Sequence, residues 1–406
     1  MDPSTQFCPN FYCLKRGLTD HGNIRVHSRK EHRFRCTCCH KTFAATRNTP
    51  FYRLHRPHDL AAIALTLLTY GCPRQAIVAA YGLDERTVAD WQQRAGQHCR
   101  RFHELHVQQS RVDVRHVQAD ELWVKTVGRK LWMAMALAVP SRLWLGGVVS
   151  RCRDGKLIAA VVRMVRSCAK TLAMLVCVDG LASYVKAFVQ GFRRAQPRAG
   201  RPGRRRWLTE PGLLIGQVIK RYSGRRLVGV VRRVARGTVA AVAAVLAQTG
   251  TGTGINTAYI ERLNATFRSR WTPLVRRGRA LARRAGGVAA GMYLVGCAYN
   301  WCWEHDSLRV AGESGSGRKG SGRTPAMAAG LTERRWQLRE VLSERLPPEQ
   351  WKAPRRRRLP PPRRETAPVS APPRPGERAA PRRWRCPARA DGCPCAGRGS
   401  RASPGR

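Results

Sequence analysis

Apolar residues follow a helical period in the stretch that begins at Asp59. Spacings of one, three and four residues separate its apolar positions, which are Leu60, Ile63, Ala64, Leu67 and Leu68. Such spacing places side chains on one face of a helix, so the pattern predicts an amphipathic helix that ends near Tyr70-Gly71. These five residues are therefore expected to face the protein interior.

A second helical pattern, over residues 73–91, is typical of a helix-turn-helix unit. Gly82 is placed to make the turn, and Asp84 is predicted to cap the second helix. Val88 and Trp91 are expected to pack inward, because residues three apart share a helix face. The polar residues left to contact DNA phosphates and base edges are Arg86, Thr87, Gln92 and Arg94. A purely structural helical hairpin can show the same layout.

Beyond residue 112 the period changes to that of β-strands. Three β-rich runs, at residues 114–127, 131–139 and 143–149, are joined by short turns and predict an antiparallel meander. A helix is predicted next, and then a buried strand at residues 172–178 that ends in Asp179. This is the order of an RNase H-like fold, in which the first and fourth strands are neighbours. We therefore expect a mixed sheet flanked by helices.

The charge of the chain indicates what it binds. Its 406 residues include 75 lysine or arginine residues against 25 acidic residues, for a formal net charge of +50, and 43% of them are hydrophobic. Such a chain is expected to fold and to bind a polyanion, with nucleic acid as the leading candidate. We find no apolar run of the roughly 20 residues that a membrane helix needs and no secretory signal. A cytoplasmic, nucleoid-associated protein without a membrane partner is expected.

Four cysteines form two close pairs near the amino terminus: Cys8 with Cys13, and Cys36 with Cys39. Two thiolate pairs about 20 residues apart are typical of a zinc ribbon, in which four sulfurs surround one structural Zn²⁺. The alternative is that they are ordinary thiols in a basic loop. Cys38 competes with Cys39 as the fourth ligand and His40 is adjacent, although Cys36-x-x-Cys39 has the better spacing.

Composition divides the chain further. Residues 352–406 hold 12 of the 25 prolines and 16 lysine or arginine residues against three acidic ones, which predicts a disordered tail. Residues 312–322 are rich in glycine and serine and predict a linker, and the arginine-rich insertion at 193–206 predicts an exposed basic loop. The predicted organisation combines α+β and α/β parts: a zinc ribbon at 1–50, a helix-turn-helix domain at 56–110, an RNase H-like domain at 112–310, a linker and helical segment at 311–351, and the tail at 352–406.

Acidic residues are scarce between residues 114 and 264, which singles out those that are present. Asp120 lies in the first predicted strand, Asp179 at the carboxyl end of the fourth, and Glu261 on a later helix. Carboxylates from neighbouring strands can converge and hold two hard cations, Mg²⁺ or Mn²⁺, for phosphoryl transfer. Glu121 is the best alternative to Asp120, although strand alternation directs it to the opposite face. Each acid also has a purely structural alternative. Asp120 could be a charge on an edge strand, Asp179 a turn residue before Gly180, and Glu261 an exposed acid on a helix.

The segments around these carboxylates resemble the three acidic blocks of DDE transposases from bacterial insertion sequences. They read Val-Gln-Ala-Asp120-Glu-Leu-Trp, Val-Cys-Val-Asp179-Gly and Asn256-Thr-Ala-Tyr-Ile-Glu261-Arg-Leu-Asn264. The order of zinc ribbon, helix-turn-helix and RNase H-like domain is similar to that family's, and the resemblance covers roughly residues 8 to 309. The Cys38-Cys39 doublet, the arginine-rich insertion and the tail depart from the family pattern.

The resemblance implies an enzyme that binds the terminal inverted repeats of its element, cuts the ends with Mg²⁺ and joins the 3′-OH to target DNA. It also implies that Asp120, Asp179 and Glu261 are the catalytic metal ligands. Asn264 and Arg268, on the helix of Glu261, are expected to contact DNA, and a homo-oligomer is expected in the synaptic complex. Two alternatives stay open: an inactive or domesticated transposase that acts as a DNA-binding protein, and a structure-selective nuclease.

Overall fold

The computed structural model describes residues 1–128, 130–196, 206–275, 281–310 and 321–348. In these residues the chain has a mixed α+β architecture around a six-stranded mixed sheet, which confirms the predicted fold class at that level. The predicted tail, most of the predicted linker and the centre of the arginine-rich insertion lie outside the described residues.

A small antiparallel sheet follows the first cysteine pair. β1 spans Ile24–Ser28, β2 spans Arg33–Cys36 and β3 spans Thr42–Ala44. Phe34 pairs with Phe43 across β2 and β3, and their rings stack with centroids 5.9 Å apart. These rings and the buried thiols form a core of their own. So small a core gains stability from a metal or another cross-link.

Three helices come next: α1 spans His58–Thr69, α2 spans Arg74–Tyr81 and α3 spans Glu85–His103, which continues into a π-helical turn at Glu104–Gln108. The predicted turn at Gly82 and the predicted helix cap at Asp84 are both confirmed. Gly82 ends α2 with a left-handed φ of 58°, and the Asp84 carboxylate accepts a hydrogen bond of 2.7 Å from the backbone amide of Arg86. Asp84 therefore fixes the start of α3 as the sequence predicts.

The predicted inward face of α1 is wrong at one position. Ile63 is 47% exposed, whereas Leu65 is buried. The buried stripe of this helix contains Ala64 and Leu68, as predicted, together with Ala61 and Leu65, which the prediction left out. The predicted and observed stripes both have helical spacing, so periodicity alone does not choose between them, and the packing partners decide.

Eight strands follow the helices: β4 His116–Lys125, β5 Lys130–Ala138, β6 Leu143–Ser150, β7 Met174–Asp179, β8 Arg193–Gln196, β9 Arg206–Thr209, β10 Leu213–Ser223 and β11 Arg226–Arg236. Six of them form the central sheet in the order β11-β10-β7-β4-β5-β6. β4, β5 and β6 are the predicted antiparallel meander, whereas β7 pairs in parallel with both β4 and β10. The expected contact between first and fourth strands is confirmed.

The flanks of the arginine-rich insertion are not a loop, contrary to the prediction. β8 and β9 pair with each other in antiparallel register, with Arg193 opposite Thr209 and Gln196 opposite Arg206. The backbone groups of these flanks therefore satisfy one another across a two-stranded ladder, despite the many arginine side chains.

Five longer helices complete the fold: α4 Gly155–Cys168, α5 Ala182–Gly191, α6 Val239–Thr249, α7 Ala258–Arg270 and α8 Ala285–Cys297. The shorter elements are a 3-10 turn at Thr272–Leu274, a π-helical turn at Ala298–Cys302, β12 His305–Val310, β13 Ser321–Arg323, α9 Pro325–Ala328 and α10 Leu338–Ser343. None of the helices in the described ranges is long and apolar enough to cross a bilayer.

Helix α3 connects the amino-terminal helices to the sheet because it packs tightly against α8. A Cβ atom added to Gly96 of α3 would lie 2.3 Å from the carbonyl oxygen of Ala290 in α8. Val88 and Trp91 of α3 are buried, as predicted, and belong to a core that also includes residues of the central sheet. Helices α1 to α3 and the sheet thus share one hydrophobic core.

The close approach of α3 and α8 predicts a specific sensitivity at Gly96. Gly96→Ala should destabilise the protein by about 1–3 kcal/mol, because the backbone of α8 must move to admit the methyl group. Gly287→Ala is the matched control, since a Cβ there meets nothing within 4 Å. In α8 that alanine should stabilise by about 0.5–1 kcal/mol. Urea unfolding measures both changes, and equal effects would contradict the packing.

Candidate metal centres and nucleic-acid interface

Four thiols converge in the amino-terminal module. The sulfurs of Cys8, Cys13, Cys36 and Cys39 all lie within 4.8 Å of one another. Two of the separations are 3.5 Å, for Cys8 with Cys39, and 3.8 Å, for Cys13 with Cys36. A tetrahedron with metal–sulfur bonds of about 2.3 Å has edges of about 3.8 Å, so this group could hold a metal ion. Cys38 is exposed and outside the group, which identifies Cys39 as the fourth member.

Hydrogen bonds favour the thiolate form at the second cysteine pair. Burial acts to raise the pKa of Cys36, but the backbone amide of Cys39 and the side chain of Asn23 donate to its sulfur and hold the pKa at about 7. Burial raises the pKa of Cys8. Thiolate is the metal-binding form of cysteine, so the lowered pKa of Cys36 favours metal binding near neutral pH.

A buried arginine from the carboxyl-terminal part of the chain reaches this module. Arg345 is 9% exposed, lies 4.3 Å from the centre of the Phe7 ring and donates a hydrogen bond of 3.2 Å to the Phe7 carbonyl. Burial lowers its pKa to about 10, whereas the neighbouring Cys8 acts to raise it. Four thiolates around a divalent cation would carry a net charge of −2, which the Arg345 guanidinium would partly balance.

Carboxylates converge where β4 and β7 lie side by side. Gln118 of β4 is paired with Cys177 of β7, and continuing this parallel register places Asp120 opposite Asp179. Oxygens of Asp120, Glu121 and Asp179 lie within 4.8 Å of one another. Oxygen ligands in such a group suit hard divalent cations, so the three side chains could hold a metal ion.

Glu121 belongs to this group despite the alternation of side chains along β4. Its side chain is fully buried, accepts a hydrogen bond of 2.6 Å from the Tyr184 hydroxyl and forms an ion pair with Arg153. Asp120 instead accepts a hydrogen bond of 2.8 Å from Asn264. The two acids therefore contact different helices, α5 and α7, as alternation predicts. The carboxylate of Glu121 nevertheless lies near the other two, which the face argument alone did not anticipate.

Glu261 lies in the first turn of α7 but outside the group of three. Its carboxylate pairs with Lys220 Nζ at 2.7 Å and accepts a hydrogen bond of 2.8 Å from Thr257. Its charge still contributes to the repulsion that acts on Asp120. Of the three acids predicted to converge, Asp120 and Asp179 have oxygens within 4.8 Å of each other. Glu261 is not part of this group and forms an ion pair with Lys220.

The electrostatics of the site reflect crowded negative charge. Burial, together with repulsion from the neighbouring carboxylates, raises the pKa of Asp120 to about 7. Burial also raises the pKa of Asp179, although Arg153 lies 3.6 Å away and opposes the shift. Burial opposes ionisation of Glu261, but the hydrogen bonds from Lys220 and Thr257, together with the charge of Lys220, lower its pKa. A bound cation would relieve the repulsion that Asp120 experiences.

The predicted DNA contacts on α3 differ in their surroundings. Arg86 is exposed and Thr87 is half-buried. Gln92 is only 9% exposed, and its side-chain oxygen accepts a hydrogen bond of 3.0 Å from Arg74. Arg94 forms an ion pair on its own helix. Arg86 is therefore the most accessible of the four, and Gln92 has a structural partner.

A groove runs between α3 and the start of α8. Its polar lining includes Arg74, Arg86, Gln93, Arg283 and Arg284. Sequence reasoning missed Arg283 and Arg284 because about 200 residues separate them from α3. A concave surface lined by arginine favours phosphate groups. On α7, Asn264 is buried against Asp120, and Arg268 lines a small pocket with Trp123.

A scan against protein-family models and a search of curated protein sequences both find no match to this chain. The functional interpretation therefore depends on the residues and geometry of the site.

The cysteine geometry predicts which thiols retain a metal. Full-length Cys36→Ser protein should lose the bound metal, because one of four converging ligands is removed. Cys38→Ser should keep the metal, since Cys38 is exposed and outside the group. Elemental analysis of the purified proteins measures both. Equal metal content in the two variants would contradict the assignment.

The position of Arg345 predicts that the carboxyl-terminal part of the chain supports the metal centre. Arg345→Met should weaken metal retention by about tenfold, the lower end of the usual effect of residues around a metal site. Arg345→Lys should lose less, because it keeps the positive charge. Arg29→Met, an exposed arginine of the same module, is the control. Competition with a chelator measures retention, and identical values for Arg345→Met and the control would show that no support exists.

Proposed function

We propose that the protein is a DDE-type DNA transposase, which cuts insertion-sequence ends in a metal-dependent reaction and transfers the 3′-OH strand to target DNA. The observation that carries this proposal is the close grouping of the Asp120, Glu121 and Asp179 carboxylates on the parallel strands β4 and β7, in a chain of net charge +50. Clustered carboxylates in a basic protein suit phosphoryl transfer on a polyanion, because cations held between them also neutralise charge on the substrate.

The sheet supports an RNase H-like catalytic domain. Its antiparallel meander β4-β5-β6 continues through the parallel neighbours β7 and β10. The order β6-β5-β4-β7-β10 is the order expected of an RNase H-like sheet, to which β11 adds one antiparallel strand. Asp120 and Asp179 then occupy the first and fourth strands of that fold, where the sequence pattern places them.

We assign two proposed roles to the acidic residues of the site. Asp120, Asp179 and Glu261 are the proposed ligands of Mg²⁺ or Mn²⁺, and Glu121 is a further carboxylate that shapes the site. The metal ions would activate the attacking oxygen and stabilise the leaving oxygen. Asn264 orients the Asp120 carboxylate through its hydrogen bond. Target joining would use the same residues, with the 3′-OH as nucleophile.

The amino-terminal part of the chain is the proposed DNA-reading part. The four-cysteine group is proposed to hold a structural Zn²⁺, and Arg86 with the adjoining arginine-lined groove to contact the terminal inverted repeats. Arg268 would contact DNA near the catalytic site. Joining two element ends requires both to be held together, so we propose a homo-oligomer that acts on DNA in the bacterial nucleoid.

A second function is favoured by the internal ion pairs of the site. Arg153 pairs with Glu121 and lies near Asp179, and Lys220 pairs with Glu261. Carboxylates neutralised in this way can persist without a metal ion. The alternative is therefore a catalytically inactive transposase that acts as a sequence-specific DNA-binding protein.

The proposal predicts that cleavage and DNA binding separate on mutation. Asp120→Asn, Asp179→Asn and Glu261→Gln should each lower Mg²⁺-dependent cleavage and strand transfer by about a hundredfold or more, beyond the loss typical of residues around a metal site. Glu121→Gln should cost about tenfold, because Tyr184 and Arg153 hold it in a supporting position. Affinity for the element ends should stay within about twofold in all four variants.

The assay uses the full-length chain with DNA that carries the ends flanking its gene. Asp113→Asn is the control, since this acid is exposed and pairs with Arg115 outside the site. Wild-type protein that binds these ends without cutting them in Mg²⁺ or Mn²⁺ would favour the DNA-binding alternative. Cleavage of branched DNA without end joining would favour a nuclease.

A further inference from the structure

The central sheet carries a hairpin that extends past the acidic group. Val218 of β10 is paired with Asp179, the last residue of β7, so the rest of β10 continues beyond its neighbour. Residues 219–223 project by roughly 16 Å at the usual rise of a strand. They turn at Gly224, whose φ is 59°, and return along β11. We refer to residues 219–230 as the overhanging hairpin.

The root of this hairpin is fixed to the acidic site. The Gln217 side chain donates a hydrogen bond of 3.1 Å to the Asp179 carbonyl and accepts one of 2.8 Å from Arg233. Arg232 donates to the carbonyl of Ile255 at 3.0 Å. Because these contacts clamp both strands below the overhang, the exposed end of the hairpin has a defined position relative to the carboxylates.

The side chains of the overhanging hairpin are exposed, basic and aromatic. Tyr222 is 60% exposed, and Arg221, Arg225 and Arg226 are also exposed. No hydrogen bond or ion pair joins the guanidinium groups of these three arginines to another residue in the described part of the chain. Lys220, at the base of the overhang, pairs with Glu261. An aromatic ring among arginines, next to a candidate phosphoryl-transfer site, has the chemistry of a nucleic-acid strand platform.

We propose that the overhanging hairpin binds an unpaired DNA strand and leads it to the carboxylate group, with a base stacked on Tyr222 and phosphates on Arg221, Arg225 and Arg226. The proposal rests on the transposase function and adds that the substrate has a single-stranded end at this site. An overhang of roughly 16 Å spans about five nucleotides of a stacked strand. The hairpin therefore has room for a short unpaired end.

A second copy of the chain is the competing occupant, because β11 also exposes apolar side chains such as Leu227 and Val228. Every charged residue from 219 to 236 is basic. Pairing two copies of this surface would place like charges together, which opposes association. A phosphate backbone neutralises the same charges, so charge complementarity favours DNA.

The test compares two probes: a duplex with a 3′ thymidine overhang and the same duplex with blunt ends. Binding by the full-length protein is measured without added Mg²⁺, so cleavage does not interfere. Tyr222→Ala should weaken binding of the overhang probe by about fivefold or more, the loss expected for one stacked base, and leave blunt-duplex affinity within about twofold. Tyr222→Phe should restore overhang binding, because phenylalanine keeps the ring. Trp207→Ala, an exposed aromatic outside the hairpin, is the matched control.

The arginines are tested through the salt dependence of binding. Substituting Arg221, Arg225 and Arg226 together by glutamine should reduce the slope of log affinity against log salt by about two units on the overhang probe. Arg163→Gln, an exposed arginine on α4, should change it by less than one unit. Unchanged selectivity of Tyr222→Ala for the overhang probe over the blunt duplex overturns the proposal. The proposal is also overturned if the hairpin variants lose self-association but still bind the unpaired strand.

These outcomes separate the hairpin from the proposed function. Loss of overhang binding in Tyr222→Ala supports the platform even if the wild-type protein fails to cleave DNA, in which case the transposase proposal alone fails. Cleavage that depends on Asp120, combined with unchanged overhang binding in Tyr222→Ala, would leave the transposase proposal standing and reject the platform.

Discussion

Parallel pairing between β4 and β7 is the constraint on which the rest of the site depends. The two strands are separated by two further strands and α4 along the chain, yet the register of their ladder, continued past Gln118, places Asp120 opposite Asp179. Gln118, two residues before Asp120 on β4, is fully buried and links the same strand to α7. Its amide donates to the Asn256 carbonyl at 2.8 Å and accepts from the Ile260 amide at 3.0 Å, which fixes the helix that carries Glu261.

Sequence reasoning located the elements whose pattern is dictated by the backbone. Asp84 and Gly82 mark helix ends because their local conformations are favoured whatever surrounds them. It failed where tertiary contacts decide. Ile63 and Leu65 both belong to apolar stripes, and only the packing of α1 selects one. Glu121 obeys strand alternation, but its carboxylate still lies beside its neighbours, which periodicity does not describe. The strand β10, with a continuous apolar run and then a basic end, was not identified.

The chain is strongly cationic, yet its acidic residues are clustered at one site. Arginine and lysine side chains stabilise this cluster by pairing with its carboxylates. Arg153 lies over the Trp132 ring, at 5.2 Å from its centre, while it pairs with Glu121. Lys220 pairs with Glu261 from the neighbouring strand. The ring and the sheet hold these cations at defined positions, where their positive charges offset the repulsion between the acids. The excess of positive charge is then left for the outer surfaces, where phosphate groups can reach it.

Arg345 has a consequence for the order of events during protein synthesis. It contacts the carbonyl of Phe7, 338 positions earlier in the chain. At about 5–20 residues per second, a ribosome needs roughly 20–70 seconds to reach it after making the first cysteine pair. During this interval the nascent cysteine module lacks its guanidinium partner and the contacts with Phe7 and Phe43. The cysteine module is therefore completed only after residue 345 has been made, long after its own cysteines.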